Sequence, residues 1–340
     1  MTASPDLDLT YASAGDTAAM IRSGAVSATE VVESSLSRID ALDDTLHAFV
    51  ERTDTLARER AAAVDAALAR GDDPGPLAGI PIAIKDLIGT AGIPTRNGSV
   101  AYADWIPDED DIVVSRVKEA GAIIVGKTTV PEFGYSAVGH SPVSPVARNP
   151  WNPDLTPGGS SAGSAIALAA GMTPLALGSD GGGSVRIPAS LCGLVGFKAS
   201  MGRVPLYPGC RDERYPGVSS WETLEHIGPM TRTVGDAALL MSVLAGPDPR
   251  DRHSLPAGDV DWLGAVGDDA RERLSGLRIA FSPDLGYLPV DPQVRAVVGD
   301  AVRTFEGLGA TVTEVDPWLE DSRRHVWALV MACLLYTSPS

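Results

Sequence analysis

Two serines framed by glycines are the residues of this chain whose settings suggest chemistry. Ser160 lies in Gly158-Gly-Ser-Ser-Ala-Gly-Ser164, and Ser184 in Gly181-Gly-Gly-Ser-Val-Arg186. A serine hydroxyl attacks a carbonyl only if a base removes its proton. None of the five histidines (His47, His140, His226, His253, His325) falls in either tract, although such groups assemble in space rather than in sequence. Gly159-Ser-Ser161-Ala-Gly163 fits the nucleophile-elbow pattern, but a proline-rich loop precedes it where that elbow needs a strand. Lysine is the alternative base, provided that burial strips its charge. Lys85 ends the apolar run Ile80 to Ile84 and is the candidate; the competing reading is a lysine whose stem is covered and whose amine reaches water. Gly181, Gly182 and Gly183 add nothing to a core, and fit a turn that brings bare N–H groups to an anion. No lysine follows these glycines as in a phosphate-binding loop, and a G-x-G-x-x-G pattern is absent from the tract.

The elements around these residues read as alternating helices and strands. Ser27 to Glu30 is a capping box, and Val31, Val32, Leu36, Ile39 and Leu42 form the apolar face of a helix ending near Asp43. A second helix spans Asp54 to Arg70. Gly79 to Lys85 is apolar on both faces, as in a central strand. A helix over Asp111 to Ala120 and a strand over Ala122 to Val125 follow, and their order argues for α/β organisation. Ala162 to Ala170 reads as a small-residue helix stopped by Gly171, with the apolar run Pro174 to Leu177 after it. Pro142 to Pro157 and Pro208 to Ser220 are too rich in breakers for regular structure. Thr233 to Asp236 caps a helix reaching Leu244. Leu277 to Ser282, Asp291 to Leu308 and Thr311 to Val315 complete a last strand–helix–strand unit. Trp327 to Leu335 resembles the start of an apolar helix.

The 340 residues hold 27 Lys+Arg against 44 Asp+Glu, a formal charge of −17. That argues against direct contact with nucleic acid or an anionic membrane, while leaving a partner protein free to make one. The three scattered cysteines suggest neither a disulfide framework nor a zinc site. With no signal peptide and no apolar run of membrane-spanning length, the expectation is a cytoplasmic protein.

Together these motifs resemble the amidase signature family. The resemblance rests on the two serine tracts, on Gly-Gly-Gly-Ser184-Val-Arg-Ile-Pro188 and on Cys192-Gly-Leu-Val-Gly-Phe-Lys198. Gly79-Ile-Pro-Ile-Ala-Ile-Lys85-Asp86, Gly126-Lys-Thr-Thr, Arg148-Asn-Pro-Trp-Asn152 and Gly228-Pro-Met-Thr-Arg-Thr233 add to it. It runs from about Ala14 to Pro249, and more loosely to Asp316. It implies a mixed central β-sheet with helices on both faces and a Ser-cisSer-Lys triad. Ser184 would be the nucleophile, Ser160 the bridging serine after a cis peptide bond, and Lys85 the base. The amides of Gly181, Gly182, Gly183 and Ser184 would form the oxyanion hole. Phe133 and Tyr135 are candidates for the acyl pocket, Asp180 and Arg186 for ions that hold the loop, Ser161 for an N-cap or a further hydrogen bond, and Cys192 for a core residue. The implied activity is hydrolysis of a small carboxylic amide by a stand-alone amidase without cofactor or metal, with a homodimer left open. The alternatives are the glutaminase component of a tRNA-dependent amidotransferase and an inactive fragment. The glutaminase subgroup tends to carry Gln where this chain has Ile187. The expected organisation is one domain over residues 1–333, with helices in 8–70, a catalytic core in 75–250 and an incomplete C-terminal part in 251–333. Residues 334–340 are expected to be a non-native tail.

Overall fold

The computed structural model describes residues 9–209, 224–267, 269–317, 321–323 and 325. Most of the Pro208–Ser220 segment, Cys210, Cys333 and the apolar tail from Trp327 lie outside the described residues. The chain divides into two compact units, Met1–Trp262 and Leu263–Ser340.

In the first unit a short helix that the sequence patterning did not indicate, α1 (Ala14–Ser23), precedes α2 (Ala28–Leu46). The capping box that starts α2 is formed: Ser27 Oγ accepts from Glu30 N at 3.1 Å, and Glu30 Oε2 accepts from Ser27 N at 2.8 Å. The helix runs three residues beyond Asp43. Strand β1 (Phe49–Arg52), helix α3 (Asp54–Ala69) and the fully buried strand β2 (Pro81–Lys85) follow. Next come α4 (Ile112–Glu119), capped by Asp111, and β3 (Ile123–Thr128). Helix α5 (Ala162–Ala169) leads to β4 (Leu175–Asp180), α6 (Arg186–Cys192), β5 (Val195–Gly196), β6 (His226–Thr231) and α7 (Val234–Leu244).

The six strands form one sheet in the order β1-β3-β2-β4-β6-β5. Its centre, β3-β2-β4, is parallel, whereas β1, β6 and β5 pair antiparallel, so the sheet is mixed as expected. Alternation along the strands divides the core into two layers. Ala83, Ile123, Val125, Ala176 and Met230 pack with α2, α3, α5 and α6 on one face. Ile82, Ile84, Ile124, Leu175, Leu177 and Ile227 pack with α1, α4 and α7 on the other. The three parallel strands end at the same edge, where a doubly covered sheet usually carries its ligand site. Lys85 and Asp180 are the last residues of β2 and β4.

Helix α5 lies flat against the sheet because its residues are small. Gly163 has no room for a side chain: a Cβ there would run into the backbone at Ala48 O and Thr129 N. Gly163→Ala is therefore expected to destabilise the protein by about 2 kcal/mol or more, read as a lowered urea midpoint, since backbone yields less readily than a side-chain tip. A midpoint equal to that of the parent would contradict this packing.

The second unit contains α8 (Ala270–Leu274), β7 (Arg278–Phe281), α9 (Pro292–Gly307) and β8 (Thr311–Glu314). The two strands pair in parallel across α9, which Asp291 caps and Pro292 opens. This is the strand–helix–strand unit read from the sequence.

Candidate active site

Lys85 is completely buried, with 0% of its surface exposed. Its Nζ lies 2.7 Å from Ser160 Oγ, 3.0 Å from Ser179 O and 2.9 Å from Ser179 Oγ. The reading in which the amine reaches solvent is thereby ruled out. Burial, which penalises the ammonium form, brings its pKa down from 10.5 to about 7, and the negative charges of Glu225 and Asp180 pull the other way without reversing it. A lysine in this state is half neutral near pH 7.

Asp86, next in the chain, does not pair with Lys85. It faces Lys127, whose Nζ lies 3.7 Å from Asp86 Oδ1 and donates to Ile88 O at 2.8 Å and Thr95 Oγ1 at 2.5 Å. Burial and this mutual attraction act against each other in the pair, and burial dominates: the carboxyl is pushed up and the amine down. The alternation of strand side chains thus separates two buried lysines, one on each face of the same sheet edge.

Ser160 is 1% exposed and follows a cis peptide bond from Gly159. A Cβ at Gly159 would lie 2.7 Å from both Val138 N and Val138 O, so only glycine fits the approach to Ser160. Ser161 occupies the N-cap position of α5 without capping it: its hydroxyl instead donates to Ser179 O at 3.3 Å. The backbone N–H of Ser161 donates to Ser184 O at 3.2 Å and ties the two serine segments together. The positive end of α5 points at this cluster and further disfavours charge on Lys85.

Ser184 sits on the turn between β4 and α6, half-buried. One carboxylate organises that turn. Asp180 accepts from Gly183 N at 2.7 Å and Val185 N at 3.2 Å, and takes a two-pronged contact from Arg186, with Nε to Oδ2 and Nη2 to Oδ1 both at 2.9 Å. Burial alone would raise the Asp180 pKa. The bonds from Arg186, Gly183 and Val185 outweigh it and hold the carboxyl at about 2. The expectation for Asp180 and Arg186 as loop-holding ions matches this arrangement. Of the amides expected to form an oxyanion hole, that of Gly183 donates to Asp180 Oδ1.

The Asp180 contribution to stability is present above 3.8, where the unfolded carboxyl titrates, and is lost as pH falls toward about 2. Asp180→Ala is expected to cost roughly 2 kcal/mol at neutral pH, because the Gly183 and Val185 amides lose their acceptor. The comparison of urea midpoints at pH 7 and pH 3 reads this directly, and an equal loss at both would contradict it.

Phe133 and Tyr135 flank Gly134 in a short turn, Glu132–Gly134, where a Cβ on Gly134 would lie 3.1 Å from Ser160 Oγ. The segment therefore abuts the serine cluster. The Phe133 ring packs edge-on against Tyr102 at 5.9 Å, and Tyr135 is 44% exposed. Ile187 packs near the turn that carries Ser184, since a Cβ on Gly183 would lie 2.9 Å from its Cδ1. Cys192 is fully buried in the core and burial pushes its thiol up to about 12. Sequence reasoning overlooked Ser179, the second partner of Lys85. Its only signal is its place directly before Asp180 in the glycine tract.

Known proteins resemble this chain in sequence and in fold. The Amidase family model matches residues 30–337. The A component of glutamyl-tRNA(Gln) amidotransferase from Carboxydothermus hydrogenoformans is 42% identical over 310 residues, covering 91% of this chain and 61% of that protein. Its counterpart in Chloroflexus aurantiacus is 40% identical over 297 residues, covering 87% of this chain and 58% of its own length. Among solved structures, a bacterial aryl acylamidase of the amidase signature family superposes with a TM-score of 0.86 at 33% identity, over 96% of this chain and 66% of that one. Peptide amidase from Stenotrophomonas maltophilia gives 0.81 at 31% identity, over 91% and 63%. The chain thus spans about three-fifths of the length of these curated relatives. With the mixed sheet, the buried Lys85–Ser160 contact and the family match over most of its length, the chain belongs to the amidase signature family.

Proposed function

We propose that this chain carries the catalytic core of a hydrolase that cleaves carboxylic amides through Ser184, Ser160 and Lys85. The observation that carries the reading is the 2.7 Å contact between Ser160 Oγ and an amine that burial has brought to a pKa of about 7. Neutral Lys85 takes a proton from Ser160 as Ser160 takes one from Ser184, and Ser184 Oγ forms a bond to the amide carbon. Negative charge on the carbonyl oxygen is met by the amides of Gly181, Gly182 and Ser184. The C–N bond then breaks, and the proton held on Lys85 returns through Ser160 to the departing amine. Water attacks the acyl-Ser184 ester by the same relay and releases the acid. Phe133 and Tyr135 line the acyl side of the site in this proposal.

A panel of aliphatic, aryl and peptide carboxamides tests it, with ammonia or amine release followed alongside the intact mass of the protein. The expected result is acid and amine in equal amounts and a transient acyl mass on Ser184. Hydrolysis that continues after Ser184→Ala would contradict it.

A second reading is favoured by the curated relatives, which are components of glutamyl-tRNA(Gln) amidotransferases. Here the amide would be that of glutamine, and its ammonia would pass to a partner-bound tRNA. The formal charge of −17 assigns RNA contact to the partner. Ile187 speaks for the first reading, because a hydrocarbon beside the nucleophile turn offers no hydrogen bond to a polar substrate end. Hydrolysis of glutamine alone, and only with a partner protein present, would decide for the second. Among the described residues no helix is long and apolar enough to cross a membrane. The cytoplasmic location expected from the sequence belongs to the same proposal, and cell fractionation tests it.

A further inference from the structure

We infer that Ser179 is a positioning residue, which fixes the rotation of the Lys85 amine so that its lone pair faces Ser160. The inference rests on the reading of Lys85 as the base. Three oxygens surround Lys85 Nζ: Ser160 Oγ at 2.7 Å, Ser179 Oγ at 2.9 Å and Ser179 O at 3.0 Å. A neutral amine has two N–H donors and one lone pair, and a carbonyl oxygen only accepts. One N–H must therefore point at Ser179 O. If the second points at Ser179 Oγ, the lone pair is left to Ser160, which is what proton abstraction from Ser160 requires. After the proton has moved, the ammonium has three donors for the same three oxygens. Both states are satisfied without turning the amine or moving a neighbour, so no reorganisation accompanies the transfer.

Without the Ser179 hydroxyl this arrangement fails at one point. The second N–H, on a side chain with no exposed surface, loses its acceptor, and rotation about Cε–Nζ no longer favours the lone pair at Ser160. The ammonium also loses one of its three acceptors, and hydrogen bonds to a charged donor are the stronger ones. The charged form is then less stable, and half-protonation moves to lower pH. Among the described residues, the charged groups that act on Lys85 are Asp180, tied to Arg186, and Glu225. Helix α5, packed over the site, carries no ionisable side chain, and Asp86 with Lys127 lies on the opposite face of β2. The Ser179 hydroxyl is 2.9 Å from Lys85 Nζ, so a shift on its removal reports on Lys85. The carbonyl of Ser179 has a second duty as acceptor for Ser161 Oγ, and it survives any substitution of the side chain.

The test uses an alkyl fluorophosphonate, whose reaction needs no knowledge of the natural substrate. Ser184 Oγ forms a bond to phosphorus, the P–F bond breaks, fluoride departs, and the Ser184 proton passes through Ser160 to Lys85. The rate is read by intact mass between pH 5 and 10 for the parent chain, Ser179→Ala, Ser179→Thr and Lys85→Met, with urea midpoints as a check on folding. In the parent the rate should rise through about pH 7 to a plateau. Ser179→Ala should have a plateau about tenfold lower and a half-rise at lower pH, the loss expected for one buried hydrogen bond. Ser179→Thr, which keeps the hydroxyl, should restore both. A Ser179→Ala profile that matches the parent would overturn the inference. So would a lowered plateau with an unmoved half-rise that threonine does not rescue, since that pattern marks a merely structural residue. If Lys85→Met is labelled as fast as the parent, the reading of Lys85 as the base fails first, and this inference goes with it.

Discussion

Ser184→Ala is expected to reduce amide turnover by about 10^6-fold, the scale seen when a hydrolase loses its nucleophile and no other group replaces it. The side chain is half-buried at a turn whose shape is held by the Asp180 carboxylate rather than by the hydroxyl itself. Its removal should therefore leave the urea midpoint within about 0.5 kcal/mol of the parent, as for substitutions away from core and cap features. Loss of turnover with unchanged stability is the combination to look for in steady-state assays. Retention of more than a few per cent of the rate would transfer the chemistry to another group.

Lys85→Met should lower turnover by about 10^4-fold, the upper range for a general base. Methionine has nearly the length of the lysine stem and keeps the site filled, so the comparison isolates the amine. Lys85→Arg should be equally inactive because guanidinium holds its proton at every accessible pH. The pH profile of the parent follows from the direction of the lysine shift. Protonated Lys85 is inactive, its pKa is lowered to about 7, and activity must therefore rise with pH through that value and not fall. A rate maximum on the acid side of neutrality would contradict the role of the base.

The parts of the site that were legible in the sequence are those in which residue type is dictated by the backbone. Three consecutive glycines, the Gly158-Gly pair and an apolar run ending in lysine can each be read without coordinates. At Gly159 and Gly163 neighbouring backbone occupies the space of any Cβ, and at Gly183 the positive φ of 112° favours glycine, whereas a Cβ at Gly182 would meet open space. Helix α1 escaped although its buried Ala14, Thr17, Ala18 and Ile21 keep helical spacing; the strands were missed or cut short where their pattern is broken. Strand β6 carries Gly228 and Pro229 in its middle, and a proline there reads as a breaker, although its partner β5 spans only two residues and needs few bonds from it. Strand β3 continues through Gly126, Lys127 and Thr128, where polar residues in a buried strand end the apolar signal three positions early. Ser179 was hidden in the same way, as the polar end of β4 merges with the glycine loop in the sequence. The engagement of the Gly183 amide depends on a carboxylate three residues away and on the fold of the turn, which spacing does not encode.

The proposed proton relay depends above all on an uncharged Lys85. The chain labelled with 13C at lysine Cε allows the titration of this amine to be followed by NMR, its signal assigned by absence in Lys85→Met. A half-titration near pH 7 is the expected result, and the Lys85→Met assignment tells it apart from Lys127, whose amine burial also lowers. A Lys85 signal that stays protonated up to about pH 10.5, the ordinary lysine value, would contradict the proton relay and the amide chemistry built on it.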